Sequence, residues 1–171
     1  QYEKKYPNFS FLGPSPIDFD TKKKFGQCVW NEICKFKLNN FIKKGKNKIG
    51  IIFNLDKHWQ PGSHWVSLFI DISKGFIFYF DSAGEDIPKQ VKTLCDRIIN
   101  QGSEHKPPIT LSLDKNHPFE HQHGTSECGI YCLYFIITLL TTNTPVNQFK
   151  NKRVPDKDME NLRSRYFNIH N

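Results

Sequence analysis

The chain has 171 residues, of which 37% are hydrophobic and 14% aromatic, including 15 Phe. This length and composition predict a single globular domain over residues 1–171 and exclude a disordered chain. No apolar run is long enough to cross a membrane and no signal-peptide pattern opens the sequence, so we expect no membrane association.

The formal net charge of +7 lies in the first third of the chain. Residues 1–50 hold 11 basic and 4 acidic residues, whereas residues 51–171 hold 13 of each. The basic residues cluster at 22–24 and at 43–48. A solvated surface explains such clusters, and the alternative is an electrostatic patch for nucleic acid or an acidic partner.

The cysteine count is odd, and the spacings match neither a disulfide framework nor a metal knuckle. The five cysteines are Cys28, Cys34, Cys95, Cys128 and Cys132. We therefore expect free thiols and an intracellular, reducing compartment.

The N-terminal part predicts an extended arm followed by helices. Residues 1–19 contain three prolines and favour an arm packed on the domain. Asp20 is a candidate N-cap for a helix over residues 22–34, with Phe25, Cys28, Val29 and Ile33 facing inward. A short helix over residues 38–44 should stop at Gly45.

The remainder of the chain predicts a small sheet with helices around it. The predicted strands are 49–55, 65–72, 76–80 and 109–113, and the predicted helices are 86–100, 128–141 and one from Asp156 or Asp158 to residue 165. This order indicates an α+β domain with a mostly antiparallel sheet and one long buried helix.

A polar loop leads into that buried helix at Cys128. Thr125 or Ser126 is a candidate cap, which would place Cys128 in the first turn, where free N–H groups and the helix dipole favour a thiolate. Gly129 should let another backbone approach closely. A lone cysteine of this kind is more often a buried packing residue, so its role depends on other parts of the chain.

A histidine and a carboxylate flank the predicted hairpin. His64 precedes the strand at 65–72 and Asp81 follows the strand at 76–80, so both should emerge at the same end of the sheet. Asp81 would then orient the His64 imidazole, which in turn is a candidate base for a cysteine nucleophile. Gln122, on the loop before Cys128, is a candidate oxyanion donor. Alone, each of these residues would be a surface, turn or packing residue.

The order His64-Trp65, Asp81-Ser82-Ala83-Gly84, Gln122 and Cys128-Gly129 resembles the ubiquitin-like-protein (SUMO, or sentrin) proteases and adenain. The match covers roughly residues 49–141, and its details look more like polyprotein proteases of large DNA viruses, such as that of African swine fever virus. The Trp-Leu-Asn-Asp segment of the cellular enzymes is absent, and Glu127 replaces their usual Asp.

The resemblance implies a papain-like, adenain-type fold with a basic, variable helical part (1–48) and a catalytic core (49–171). It implies that Cys128 is the nucleophile, His64 the base, Asp81 its orienting group and Gln122 the oxyanion donor. Trp65 would wall a tunnel for the glycines of the substrate.

The same resemblance implies hydrolysis of peptide or isopeptide bonds after Gly-Gly, with no metal or cofactor. The protein substrate would be a viral polyprotein, processed in the host cytoplasm and the virion, or a ubiquitin-like protein.

Three alternative functions, each from another class of protein, also fit parts of the sequence. His117, His121, His123 and Cys128 are candidate zinc ligands, although their spacing fits no common tetrahedral site. The basic N-terminal third is a candidate nucleic-acid-binding module. Some relatives of the resembled family transfer acetyl groups with the same residues, so an acetyltransferase is the third alternative.

Overall fold

A five-stranded mixed sheet organises the structure, a computed structural model that describes residues 1–167. The strands lie in chain order: β1 (Phe9–Pro16), β2 (Lys48–Asn54), β3 (Trp65–Asp71), β4 (Phe76–Phe80) and β5 (Ser112–Lys115). The central pairs β2–β3 and β3–β4 are antiparallel, whereas β1–β2 and β4–β5 are parallel. The predicted α+β class is confirmed, and antiparallel pairing is confined to the centre of the sheet.

Both faces of the sheet are buried, because alternate residues of each central strand enter two different hydrophobic clusters. In β4, Ile77 and Tyr79 face one cluster, and Phe76, Phe78 and Phe80 face the other. The second cluster contains the apolar helix α5, in which Phe135 stacks on Phe80 at 4.7 Å between ring centroids. The helix α5 therefore packs across this face of the sheet.

Helices cover the two faces of this sheet. They are α1 (Tyr2–Lys5), α2 (Asn31–Cys34), α3 (Leu38–Lys43), α4 (Lys89–Glu104), α5 (Cys128–Thr141) and α6 (Asp156–Phe167). The predicted helices at 38–44, 128–141 and 156–165 are confirmed, whereas α4 begins three residues later than predicted. The fifth strand also lies three residues beyond its predicted start. Within the described part of the chain, no helix combines the length and the apolar character needed to span a bilayer.

The N-terminal predictions were wrong in three respects. The proposed arm contains β1, because Phe9 and Leu12 pack into the two clusters and pair with β2. Of the predicted helix over residues 22–34, only α2 (Asn31–Cys34) forms; a turn in which Lys22 bridges Cys28 replaces its first part, so Asp20 does not cap it. Its Phe25 is fully exposed instead of buried.

The prediction of five free thiols was also wrong. Cys28 and Cys34 form a disulfide, and the free cysteines of the described residues are Cys95, Cys128 and Cys132. The Lys22 ammonium lies 3.0 Å from the Cys28 sulfur. The disulfide joins the Lys22–Cys28 turn to the end of α2.

Candidate active site

The hairpin β3–β4 brings His64 and Asp81 together, as its geometry predicts. Asp81 is fully buried, and its Oδ1 accepts a hydrogen bond from His64 Nε2 at 2.6 Å. The backbone N–H of Ala83 donates to the same oxygen at 2.8 Å, and the backbone of His64 is held by Leu55 N–H at 2.9 Å. The carboxylate thus fixes the ring and leaves Nδ1 as the nitrogen available to a thiol.

Asn116 is a supporting residue that the sequence did not reveal. Its side chain is buried, with Oδ1 accepting from Asp81 N–H at 2.9 Å and Nδ2 donating to the Asp81 carbonyl at 2.7 Å. This two-point clamp joins the end of β4 to the loop after β5. Asn116 lies 35 residues away in sequence, so no local pattern could have found it.

Cys128 is the first residue of α5, as predicted, but the helix start differs in detail. Glu127 is the N-cap residue and no side chain caps the helix, so the predicted Thr125 or Ser126 cap was wrong. Ser126 Oγ instead donates a hydrogen bond to the Glu127 carboxylate. This carboxylate also packs against Gly124, where a Cβ atom would lie only 2.6 Å from Glu127 Oε2. The prediction that another backbone packs closely on Gly129 was wrong. The group nearest to this glycine's Cβ position is the Trp65 ring, whose Cδ1 lies 4.0 Å away.

The electrostatics of this site favour a proton on His64 rather than on Cys128. The hydrogen bond to Asp81, followed by that to Cys128, raises the pKa of His64 to about 10 against burial. Burial alone would raise the pKa of the Cys128 thiol, but hydrogen bonds from His64 and from the backbone of Trp65 outweigh it and lower the pKa below 9.0. The pair therefore favours a thiolate and an imidazolium.

The other two free cysteines lack this activation. Burial raises the pKa of Cys95 to about 12, and it raises the pKa of Cys132 well above its ordinary value. Of the free thiols in the described residues, only Cys128 has a lowered pKa. This difference separates a nucleophile from packing cysteines.

Gln122 lies near the site, held by Ser82. Its Oε1 accepts a hydrogen bond from Ser82 Oγ at 2.7 Å, and its backbone N–H donates to the Ser82 carbonyl at 2.8 Å. The Gln122 Nε2 donates to the Gly124 carbonyl at 3.0 Å. The role of Gln122 as oxyanion donor stays a prediction, whereas Ser82 is a contact that sequence reasoning missed.

Two cavities meet at Trp65. One, of about 270 Å³, is lined by Trp65, Cys128, Gly129 and Arg163 among others. The other, of about 370 Å³, extends from Trp65 to the Cys28–Cys34 loop, where Trp30 lines it, and to Lys57 and His58. We call this second cavity the entry groove. Trp30 was not among the predicted site residues, because the segment around it lacks the expected Trp-Leu-Asn-Asp pattern.

Two of the three histidines proposed as zinc ligands, His117 and His121, have other hydrogen-bond partners for their rings. His121 is fully buried; its Nε2 donates to the Phe149 carbonyl at 2.8 Å, and its Nδ1 accepts from the Val154 N–H at 3.2 Å. Burial lowers the pKa of His121, which keeps the ring neutral. Within residues 1–167, no group of three His, Cys, Asp or Glu side chains converges as metal ligands would.

Two viral proteases are similar to this chain in sequence. The chain is 34% identical over 168 residues to a thiol protease of Acanthamoeba polyphaga mimivirus, an alignment that covers 97% of the chain and 52% of the relative. It is 30% identical over 174 residues to a cysteine protease of African swine fever virus, covering 96% of the chain and 62% of the relative. The chain thus spans between half and two thirds of the length of these relatives.

Solved structures show the same fold. The crystal structure of the African swine fever virus protease matches with a TM-score of 0.77 and 25% identity, over 95% of this chain and 61% of that one. The C-terminal protease domain of yeast Ulp1, solved in complex with Smt3, the yeast ortholog of SUMO, matches with a TM-score of 0.56 and 20% identity, over 92% of this chain and 65% of that one. The predicted adenain-type fold is therefore confirmed.

The family model "Ulp1 protease family, C-terminal catalytic domain" matches residues 37–171, which is most of the chain and includes His64, Trp65, Asp81, Gln122 and Cys128. The chain belongs to the Ulp1 protease family of cysteine proteases.

Proposed function

We propose that this domain is a cysteine protease that hydrolyses peptide or isopeptide bonds after Gly-Gly, in a viral polyprotein or a ubiquitin-like protein. The observation that carries the proposal is the position of the His64 ring, which Asp81 holds at 2.6 Å while the ring and the Cys128 thiol at the tip of α5 shift each other's pKa in opposite directions. An imidazole between a carboxylate and a sulfur is the arrangement that activates a thiol nucleophile.

The mechanism follows from the proton positions. His64 holds the proton of Cys128, and the thiolate attacks the carbonyl carbon of the glycine, forming a C–S bond. The Cys128 N–H and Gln122 would hold the oxyanion of the tetrahedral intermediate. His64 then donates its proton to the leaving amine as the C–N bond breaks, giving a thioester. Water, deprotonated by the same ring, hydrolyses the thioester and restores the thiol.

The shape of the two cavities that lead to Cys128 favours a substrate with glycine next to the bond that is cut. A chain entering by the entry groove must pass the Trp65 ring, which lines both cavities and faces Gly129. A substrate side chain forced into space that the protein already fills costs about 1–3 kcal/mol, which corresponds to roughly a 5- to 150-fold loss of rate. Glycine avoids this cost.

Matched peptide substrates test this specificity. We expect Gly-Gly-X to be cut at least tenfold faster than Gly-Val-X or Val-Gly-X, measured as kcat/KM. Trp65→Ala should narrow this difference by opening the path. Equal cleavage of all three peptides by the unmodified domain would contradict Gly-Gly specificity, and turnover that requires an acyl cofactor would favour acetyl transfer.

Ser82 should affect turnover through Gln122. In Ser82→Ala the buried Gln122 Oε1 loses its donor, and an unpaired buried acceptor costs about 1–3 kcal/mol. We expect the amide to lose its fixed orientation, with kcat about tenfold lower and KM unchanged. Ser82→Thr, which keeps the hydroxyl, should restore kcat. A Ser82→Ala domain with unchanged kcat would show that this hydrogen bond does not position Gln122.

The basic N-terminal third supports nucleic acid as an accessory partner in the same proposal. Lys35, Lys37, Lys44 and Lys46 line one surface cavity of about 290 Å³. Such a patch should bind DNA with an affinity that falls steeply with salt. The proposal also places the domain in the host cytoplasm and the virion if its substrate is a capsid polyprotein.

A further inference from the structure

The cavity that contains Cys128 extends past the nucleophile toward α6, and we call it the Cys128 cavity. Trp65 lines both this cavity and the entry groove, whereas their other walls differ. The entry groove is built mainly from β1, the 22–34 segment and the loop between β2 and β3. The Cys128 cavity is built mainly from the loop before α5, the start of α5 and α6. A substrate that reaches Cys128 through the entry groove therefore leads its residues after the cut toward α6.

Arg163 of α6 gives this cavity a positive charge. Of the described residues that line the cavity, only Arg163 has a permanently charged side chain. The Cys128 thiolate is balanced by the protonated His64 ring, so the charge that remains is that of the guanidinium. Arg163 is exposed, and among residues 1–167 no carboxylate lies within ion-pair distance of it. The guanidinium is therefore available to a carboxylate of the substrate.

One hydrogen bond holds the guanidinium at the wall of the cavity. Arg163 Nη2 donates to the Ser126 carbonyl at 3.0 Å, two residues before the nucleophile. An arginine side chain has several N–H donors in a planar fork, so this contact leaves others for a ligand. A carboxylate is the group that such a fork binds best, through two parallel hydrogen bonds. Fixing the side chain in advance lowers the entropic cost of that contact.

The acidic residues next to this loop are engaged in fixing it. Asp156, the first residue of α6, accepts from the backbone N–H groups of His123 at 3.1 Å and Gly124 at 3.2 Å. The Glu127 carboxylate is buried and accepts from the Ser126 N–H at 3.1 Å. These contacts join the loop before α5 to the start of α6, and they keep both carboxylates on the loop. The distance between the Arg163 fork and Cys128 is thereby set by the fold.

We propose that Arg163 is a specificity-determining residue that binds an acidic side chain of the substrate, on one of the first two residues after the cut. The proposal rests on the proposed function, because the same substrate must place its Gly-Gly carbonyl at Cys128. It adds a preference for a carboxylate in the leaving group to the preference for glycine before the cut. Bonds followed by Asp or Glu are then cut faster than bonds followed by neutral or basic residues.

Matched peptides test the proposal on the unmodified domain. They share one sequence up to Gly-Gly and differ in one of the next two residues, which is Glu, its neutral isostere Gln, or Lys. All are amidated at the C-terminus, so that the Glu side chain is the only carboxylate after the cut. At one of the two positions we expect kcat/KM to be about fivefold higher for Glu than for Gln, the upper range for an exposed ion pair. Salt at about 1 M should remove most of this difference, because it screens exposed charges.

Variants of Arg163 assign the preference to this residue. Arg163→Gln should bring the Glu-to-Gln ratio of kcat/KM to about one, Arg163→Lys should keep part of it, and Arg163→Glu should make the Lys peptide the faster substrate. The ratio is the readout, because loss of the hydrogen bond to Ser126 slows all peptides alike. Arg165→Gln is the matched control, since Arg165 lies on the same helix but lines a different cavity. It should leave the ratio unchanged.

Two results overturn the proposal. Equal kcat/KM for the Glu and Gln peptides at both positions removes the carboxylate site while leaving the protease reaction in place. A Glu preference that persists in Arg163→Gln, with all peptides slowed alike, shows that Arg163 only fastens the loop before α5. Failure of the unmodified domain to cut any of the peptides instead refutes the proposed function itself.

Discussion

Replacing Cys128 by alanine should abolish cleavage while leaving the fold intact. The side chain is nearly buried at the tip of α5, and the change removes one sulfur atom from a wall of a cavity. Without the thiolate no acyl-enzyme forms, and we expect kcat to fall by roughly 10⁶-fold, on the scale found when a catalytic nucleophile is removed. Hydrolysis of a Gly-Gly peptide, followed by mass spectrometry, measures the loss.

Cys95→Ala is the matched control. Cys95 is also a buried free cysteine, but it lies in α4 and burial raises its pKa to about 12. Its replacement should leave cleavage unchanged. A Cys128→Ala domain that still cut the peptide would assign the nucleophile to another residue.

Removing the Asp81 carboxylate should have the second largest effect. In Asp81→Ala the His64 ring loses the hydrogen bond that contributes most to its raised pKa, and nothing then fixes Nε2–H away from the thiol. We expect kcat to fall by roughly 10²–10⁴-fold, the range of a triad carboxylate. Asp81→Asn should lose turnover on the same scale, about 10⁴-fold, because the amide keeps the shape of the side chain but neither the charge nor the preference for the correct imidazole tautomer.

Asp114→Asn provides the comparison for this series. Asp114 pairs with Lys150 at 2.8 Å on the surface of β5, so its neutralisation changes the net charge equally without touching the His64 ring. Its kcat should equal that of the unmodified domain. An Asp81→Ala domain with nearly full turnover, and an unchanged melting temperature, would remove Asp81 from the mechanism.

The hairpin and the buried helix could be predicted because their signals are local. Mostly apolar runs before and after Gly75 define β3 and β4, and the apolar run after Cys128 defines α5. The hairpin rule then places His64 beside Asp81 without any long-range information. The His64–Asp81 contact was therefore predictable from spacing alone.

The contacts that support the site could not be predicted in this way. Ser82 reaches Gln122 across 40 residues and Asn116 reaches Asp81 across 35, and no periodic pattern connects such pairs. The strand β1 pairs with β2, which lies about 40 residues later in the sequence. Because β1 also contains two prolines, its sequence predicts an extended arm and not a strand.

The segment over residues 22–34 shows how a local pattern can mislead. Its apolar spacing favours a helix, but Gly26 at φ 73° and the Cys28–Cys34 disulfide favour a turn. Tertiary constraints outweighed intrinsic propensity there.

The reactivity of Cys128 toward iodoacetamide, followed from pH 4 to pH 10, tests the central claim most directly. Alkylation is read at Cys128 by peptide mass spectrometry, which separates it from Cys95 and Cys132. A thiolate paired with the His64 imidazolium predicts rapid alkylation below the ordinary thiol pKa of 9.0, and a shift of the profile to higher pH in His64→Ala. A profile that rises only near pH 9, and is the same in both proteins, would contradict activation of Cys128 by His64.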